Sequence, residues 1–579
     1  MHKNLARWLV TSAWPYSSDI PHLGNLIGSV LSADVFARYH RLVGDEVLFV
    51  SGSDEHGTPL EVEALKKGIP VRQLADRNHE RISEIFRRWN VSYDNYTRTE
   101  SPVHKRFVRE HYTEIYNNDT YIFTQVERIH YCNTDRRFLP DRFVEGTCPN
   151  CGYQAARGDQ CDNCGRPLDA ERLINAYCVI CRNPTVLRDT KQWFFDLPRL
   201  SQYVSDYLGR AELSQNVLSF SKGWLKDGLR PRSITRDSEW GVPAPFPGAE
   251  GKTIYVWMEA VLGYVSAAIE YYEKKGGDPE GWETFWLKGD AKTSFFIGKD
   301  NIPFHAIILP SLLRASGRKY NEPNLISSTD FLLFEGQKFS KSRRVGIWAD
   351  EALEILPADY WRFALVSLRP ESGDINFGWD SFSKKVNNDL NDAIGNFANR
   401  TLVGVLKFSD GTFTLNKDHF LSSASEEYTK QLEGSLNRHE EIRDLYERVE
   451  IQSACRKTVE QAYESNRFLS STEPWKLVKT DKRKANEILY VALSSLKLIA
   501  IELCPIIPVA SSEIIRQAQL FKSRSGVPRW DLTLIDDDLP IKVSDAKPIF
   551  HKVDPEDLRL KLEKVRRESN EQQINVKTN

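Results

Sequence analysis

His22-Leu23-Gly24-Asn25 follows an apolar run at 8–10 and the turn-like Ala13-Trp14-Pro15-Tyr16. Apolar residues then recur at Leu23, Leu26, Ile27, Val30, Leu31 and Val35, the stripe of an amphipathic helix. A second apolar run, at 47–50, comes after Gly44. Strand, turn, helix and strand in this order make a βαβ unit. The first turn of such a helix exposes unpaired N–H groups and the positive end of its dipole. A polyphosphate can sit there, Gly24 lets it come close, and His22 can donate to a phosphate oxygen. Taken alone, His-Leu-Gly at a helix start reads as ordinary packing.

A second stretch, Lys338-Phe339-Ser340-Lys341-Ser342, changes its weight. Two lysines and two hydroxyls lie there on a short loop between Gly336 and Gly346. By itself that loop reads as solvated and basic. In this order and separation, the two stretches resemble the HIGH and KMSKS signatures of class I aminoacyl-tRNA synthetases.

The chain of 579 residues is too long for one domain, and length alone suggests roughly three or four. Hydrophobic residues make up 41%, enough for large cores. With 78 Lys and Arg against 80 Asp and Glu, the net charge of −2 excludes a global basic field; basic residues gathered on one face remain compatible with RNA binding. Six of the nine cysteines stand in C-x2-C pairs, which reads as metal binding in a reducing compartment, the cytoplasm. The N-terminal stretch lacks the long apolar run and cleavage site of a signal peptide, and no membrane span is expected.

Residues 1–118 read as the first half of a nucleotide-binding domain, 251–324 as its second half, and 119–250 as an insertion between them. In Ser53-Asp54-Glu55-His56-Gly57, just past a strand, Asp54 could hold a substrate ammonium and His56 a carboxylate or phosphate; an ordinary acidic turn is the plainer reading. Cys148, Cys151, Cys161 and Cys164 form C-x2-C-x9-C-x2-C, with Gly152 and Gly165 placed for tight knuckles. Four thiolates complete tetrahedral zinc and leave no open position, so the site is structural. Cys178 and Cys181 would pair with Cys132 and Asp135; a Cys3Asp zinc site and an empty one are both open readings. Later, Ile254-Tyr255-Val256-Trp257 reads as a strand, Phe295-Phe296-Ile297 ends in Gly298-Lys299-Asp300-Asn301, and Phe304-His305 opens a helix. Residues 325–385 carry the lysine loop. From 386 to 545 an all-α bundle is expected, with Val386, Leu390, Ile394, Phe397 and Ala398 on one stripe and a helix at 488–503 stopped by Pro505 and Pro508. In the charged tail, 546–579, Leu558, Leu562 and Val565 suit a docking helix, although a frayed end is the commoner outcome.

TSAWPY, PHLGN, SGSDEHG, RFLPDRFVEGTCPNCG, YVWMEA, IGKDNIPFH, KFSKS and TEPWKL, in this order, resemble the methionyl-tRNA synthetase family over most of the chain. The resemblance implies an α/β Rossmann-like catalytic domain with a zinc-binding insertion, followed by an all-α anticodon-binding helix bundle. It implies ATP, L-methionine and tRNA(Met) as partners, with Zn²⁺ as a structural ion and Mg²⁺ accompanying ATP. His22 and Asn25 would contact phosphates in the transition state, and Lys338 and Lys341 would stabilise the pyrophosphate leaving group. Gly24, Ser340, Gly298 and Asp300 would complete the ATP site, with Asp300 on the ribose. Asp54 would take the methionine ammonium. Ala13, Trp14, Tyr16, Trp257, Ala260, Tyr264 and His305 would line the side-chain pocket, where aromatic rings suit a thioether; from the residues alone they read as core. Asn396 and Arg400 would read the anticodon, with Pro474 and Trp475 as a stacking platform.

The sequence departs from the family pattern at four places. Asn25 replaces the last His of HIGH, and Phe339 replaces the Met of KMSKS, the latter expected to matter little. Asp135 stands where Cys is frequent, and Glu259 and Val261 stand where some members have Asp and Pro. A monomer is expected, with a separate tRNA-binding protein as a further partner to consider. Two other classes compete: a non-catalytic tRNA-binding paralogue, which would have no need of His22, Asp54, Lys338 and Lys341, and a small-substrate nucleotidyltransferase, which would need neither the bundle nor the cysteine pairs.

Overall fold

The computed structural model describes residues 5–578 except 119, 140–142, 159–160, 162, 165–167, 169, 341–343 and 523–525, with side chains as far as 571. Lys341 and Gly165 therefore lie outside the described residues. Eight strands frame the functional parts: β1 (Arg7–Ser12), β2 (Glu46–Ser53), β3 (Asn95–Arg98), β4 (Ile122–Cys132), β5 (Val186–Phe195), β6 (Glu212–Leu213), β7 (Ala291–Gly298) and β8 (Leu325–Thr329). Six of them form one parallel sheet in the order β6-β8-β7-β1-β2-β3. Helices cover both faces, which is why Leu9, Val10, Phe49, Val50, Phe295 and Phe296 are all buried as near-continuous apolar runs. The chain leaves β1 toward β2 and β3 and returns on the other side through β7. The crevice between the carboxyl ends of β1 and β7 is thus a topological switch point, where open α/β sheets bind ligands.

The insertion leaves as a long antiparallel ribbon, β4 against β5, paired from Ile122↔Phe195 to Tyr131↔Val186. Its tip carries the cysteines. The chain then donates β6 to the edge of the main sheet. After β8, a small sheet of Leu332–Phe334, Gln337–Lys338 and Ile375–Phe377 presents the lysine loop.

The C-terminal half is a helix bundle, built from Asn396–Phe408, Glu426–Glu447, Ile451–Thr472, Lys482–Leu503 and Pro508–Ala518. One short β pair, Thr412–Phe413 with Ile541–Lys542, interrupts its all-α character. Its core is continuous with one side of the catalytic sheet. Arg362 spans the junction, fully buried: it donates to the carbonyls of Trp89 (3.1 Å), Pro505 (3.1 Å) and Ile506 (2.7 Å) and to Asp34 Oδ2 (2.6 Å). Burial alone would raise the Asp34 carboxyl, but Arg38 and Arg362 hold it down at about 2. Among the described residues, no helix is long and apolar enough to cross a membrane.

One local expectation changes and another is narrowed. The run at 254–257 is a strand only at Thr253–Ile254; Tyr255 turns, and a helix begins at Val256–Ala260 because Met258 and Glu259 donate back to the Tyr255 carbonyl. The tail forms a helix, Pro555–Thr578, whose first half is docked, with Leu558 and Leu562 buried, while 567–571 are exposed.

Candidate active site

The helix after β1 starts where the sequence places it. His22 is its N-cap: Nδ1 accepts the Asn25 N–H (3.2 Å), while Asn25 Oδ1 accepts the His22 N–H (3.1 Å). This reciprocal capping box ties up Asn25's carbonyl and leaves its amide N–H groups free to face solvent. Because Nδ1 is an acceptor, the ring proton sits on Nε2. Burial pushes the His22 pKa down to about 4, so near neutral pH it is an uncharged donor. A Cβ on Gly24 would stand 3.1 Å from the His22 ring, so the glycine also serves the cap itself.

The eight residues assigned to methionine, Ala13, Trp14, Tyr16, Asp54, Trp257, Ala260, Tyr264 and His305, line one cavity at the switch point, together with Val261, Asn301 and Phe304. Gly52 and Gly263 make room for the Trp14 ring: a Cβ at either would lie within 2.8 Å of it. His305 Nδ1 donates to the Asn301 carbonyl (2.9 Å), so Nε2 accepts the Tyr264 hydroxyl (2.7 Å). Burial lowers the His305 pKa to about 4, which keeps this deep wall uncharged. Tyr16 and Trp257, each 39% exposed, stand at the mouth.

Beneath the pocket lies a buried charge cluster. His56 is held between Glu259 Oε1 on Nδ1 (2.5 Å) and Glu100 Oε2 on Nε2 (2.6 Å). Burial opposes its charge, but the two carboxylates outweigh burial and push its pKa up to about 9. Both ring nitrogens are spent, so His56 cannot serve a substrate carboxylate or phosphate as its sequence position suggested. Asp54 is different. Burial, then repulsion from Glu259, raises its pKa well above the carboxylate range. Its Oδ1 and Glu259 Oε2 are buried without a partner. Asp54 lines the pocket, so a cationic group entering it would satisfy the Asp54 carboxylate.

Gly298 ends β7 facing open space, and Asp300 is exposed beside it. Lys338 pairs with Leu333 at the root of the lysine loop; its ammonium is exposed, 4.4 Å from the Phe331 ring centroid. Ser340 and Val345 exchange both backbone hydrogen bonds at 2.9 Å and close the hairpin. The loop's far root runs back to the capped helix, with Leu23 N donating to Ile347 O (3.1 Å) and Ala349 N to Pro21 O (2.9 Å). Arg566 of the docked tail helix clasps the same segment, donating to Gly346 O (2.6 Å) and to both Glu351 oxygens.

The cysteines gather as two clusters, Cys148, Cys151, Cys161 and Cys164, and Cys132, Asp135, Cys178 and Cys181, each with its ligand atoms within 4.8 Å of one another. Asp135 Oδ2 lies 3.2 Å from Cys132 Sγ and 3.0 Å from Cys178 Sγ. The residue after the second ligand is left-handed in three knuckles: Gly152 (φ +74°), Arg136 (+52°) and Arg182 (+63°). Asp135 therefore occupies a genuine knuckle position, and both donor sets suit tetrahedral zinc.

At the far end of the bundle, Asn396, Arg400, Pro474 and Trp475 form one corner. Arg400 donates to Asn466 O and Oδ1 (3.2 Å each) and to Ser470 Oγ (3.1 Å), and its guanidinium lies 5.4 Å from the Trp475 ring centroid. Asn396 is exposed, 3.5 Å from Asn466 Oδ1. Pro474 is buried, while Trp475 is 41% exposed and lies outside the buried core of the bundle.

Sequence reading missed Glu259 and Glu100 as partners of His56, Asn301 and Phe304 in the pocket wall, and Asn466 behind Arg400. Only Glu259, an acid inside an aromatic stretch, carried a visible signal.

The family model described as tRNA synthetases class I (M) matches residues 8–402, and that described as anticodon binding domain of methionyl tRNA ligase matches 421–563. A methionine–tRNA ligase of Thermofilum pendens is 50% identical over 562 residues, covering 96% of this chain and 97% of that one. One of Sulfolobus acidocaldarius is 48% identical, covering 97% and 98%. Among solved structures, Mycobacterium tuberculosis methionyl-tRNA synthetase in complex with methionyl-adenylate superposes with a TM-score of 0.75 at 22% identity, over 94% of this chain and 99% of that one, a likeness of fold. Signatures, switch-point cavity, cysteine clusters and bundle thus agree with these matches over nearly the whole length: the chain belongs to the class I tRNA synthetases (M), the methionine–tRNA ligases.

Proposed function

We propose that the chain joins methionine to tRNA(Met) in two steps, with the roles of its residues as follows. Methionine enters the switch-point cavity with its ammonium on Asp54 and its thioether among Trp14, Trp257, Tyr264 and the uncharged His305. Sulfur against aromatic rings is favourable, and a neutral wall avoids desolvating a charge. The methionine carboxylate attacks the α-phosphorus of ATP; the bond to the β-phosphate oxygen breaks, and pyrophosphate leaves. His22 Nε2–H and the Asn25 amide donate to phosphate oxygens at the helix start, and Lys338 and Lys341 meet the charge on the leaving group. Gly298 and Asp300 hold the adenosine, with Ser340 in the loop beside the phosphates. The terminal adenosine hydroxyl of tRNA then attacks the methionyl carbonyl, and AMP leaves. Mg²⁺ would arrive with the phosphates of ATP. Asn396, Arg400, Pro474 and Trp475 read the anticodon.

Both cysteine clusters would hold zinc, one through four thiolates, the other through three and Asp135. Zinc there supplies cross-links for a tip whose core is small, not chemistry. The observation that supports the reading most is the buried Asp54 Oδ1, unpaired at the floor of an aromatic pocket.

The test is ATP–pyrophosphate exchange with each of the twenty amino acids, with zinc assayed on the same sample. Exchange with methionine alone and two zinc per chain is the expected result. Exchange with another amino acid would refute the pocket assignment, and one zinc per chain would refute the Asp135 site. Asp135→Asn should release the second zinc and leave the first.

A further inference from the structure

We propose that Phe339 is a positioning residue: its ring stacks face-on against His22 and fixes the imidazole plane. This rests on the reading that His22 donates to ATP phosphates. At the Met position of KMSKS, the Phe looked inconsequential. In the fold its ring lies parallel to the His22 imidazole, with centroids 4.4 Å apart and planes 13° apart. Two glycines are fitted to this pair. A Cβ on Gly24 would stand 3.1 Å from the His22 ring and 3.6 Å from Phe339, and one on Gly346 (φ +126°) would collide with the Phe339 ring. Phe334 backs Phe339 at 6.1 Å.

Two constraints then act on one ring. The Asn25 N–H on Nδ1 sets which edge faces the helix, and Phe339 closes one face. Together they set the direction of the Nε2–H. Ser340, next to Phe339, exchanges both backbone hydrogen bonds with Val345, which holds the Phe339 ring in place against His22. A flexible thioether would cover the same face without imposing a plane.

The experiment measures kcat and both KM values of methionine-dependent pyrophosphate exchange for Phe339→Ala, Phe339→Leu, Phe339→Tyr, His22→Gln and the double variant Phe339→Ala with His22→Gln. Phe339→Ala should lower kcat about tenfold, as expected for a lost aromatic stack, with methionine KM within about twofold. Tyr should restore most of the rate and Leu should not, although Leu keeps the packing. In the His22→Gln background, Phe339→Ala should cost nothing further. An equal loss in both backgrounds, a fully active Phe339→Leu, or a Phe339→Ala enzyme with lower KM for ATP and undiminished kcat would overturn the proposal. If His22→Gln keeps full kcat, the underlying His22 reading fails; if it loses activity while Phe339→Ala does not, only the positioning role fails.

Discussion

The two ends of the molecule proposed to meet substrate are built on opposite principles. At the switch point, ionisable groups are buried and paired in advance: His56 sits between Glu259 and Glu100, and Tyr264 is bonded to His305. Asp54 Oδ1 and Glu259 Oε2 are among the few buried polar atoms there left unpaired, with Trp14 Nε1, Glu55 Oε1 and His104 Nε2. At the bundle's far corner, Trp475 and Asn396 stand exposed, and Arg400 rests on neutral partners, Asn466 and Ser470. A small ligand gives little area, so its site must be preorganised and must draw strength from a desolvated charge. An RNA loop brings bases that stack on whatever ring is offered, so its site can stay open to water. Substitutions at the first end should therefore be severe and confined to adenylation, those at the second mild and confined to tRNA.

The largest effect is expected from Asp54→Asn. Removing one member of a buried charge pair costs about 3–5 kcal/mol, so kcat/KM for methionine in pyrophosphate exchange should fall by about 10²–10³ or more. Affinity for tRNA, measured by filter binding, should be unchanged. A loss below about tenfold would place the ammonium elsewhere and break the contrast. Next comes Trp475→Ala. Loss of one base–aromatic stack is worth about 1–3 kcal/mol, so KM for tRNA should rise by about 5- to 150-fold. Exchange without tRNA should be untouched; if it drops as well, the corner is a structural part of the bundle.

What the sequence disclosed divides along the same line. The βαβ start, the interrupted domain and the bundle were legible because helix and sheet periodicities are local, as with Leu23 to Val35 and Val386 to Ala398. The pocket residues came from motif resemblance; periodicity alone assigns Trp257 to a core, and it is 39% exposed. Hidden were pairings between distant segments. Nothing near His56 announces that its two nitrogens are claimed from 44 and 203 residues away. Phe339 looked like a neutral exchange because its partner, His22, lies on another element more than three hundred residues off. For the tail the sequence left a docking helix and a frayed end both open; the choice falls on docking through Leu558, Leu562 and Arg566, whose partners at Gly346 and Glu351 lie some two hundred residues away.

The smallest effect is the one that tests preorganisation most directly. With the pocket empty, Asp54 holds its proton to a pH above the usual carboxylate range, because burial and Glu259 both disfavour its charge. The folded state then binds that proton more tightly than the unfolded chain. Stability from this group is present at low pH and is lost as pH rises through the raised pKa. In the proposed role Asp54 meets the methionine ammonium as a carboxylate, so binding must expel the proton. Methionine KM should fall as pH rises through the raised pKa, by at most about tenfold per pH unit, since one proton is involved. Ligand stabilisation, read as the methionine-induced rise in Tm, should grow in parallel. Asp54→Asn should flatten both profiles. Affinity for tRNA at the Arg400 corner has no such proton to expel and should follow salt instead, through the counterions that phosphate contacts release. A methionine KM independent of pH in the wild-type protein would mean that Asp54 is already charged in the empty pocket. The difference between the two ends would then lie in burial alone.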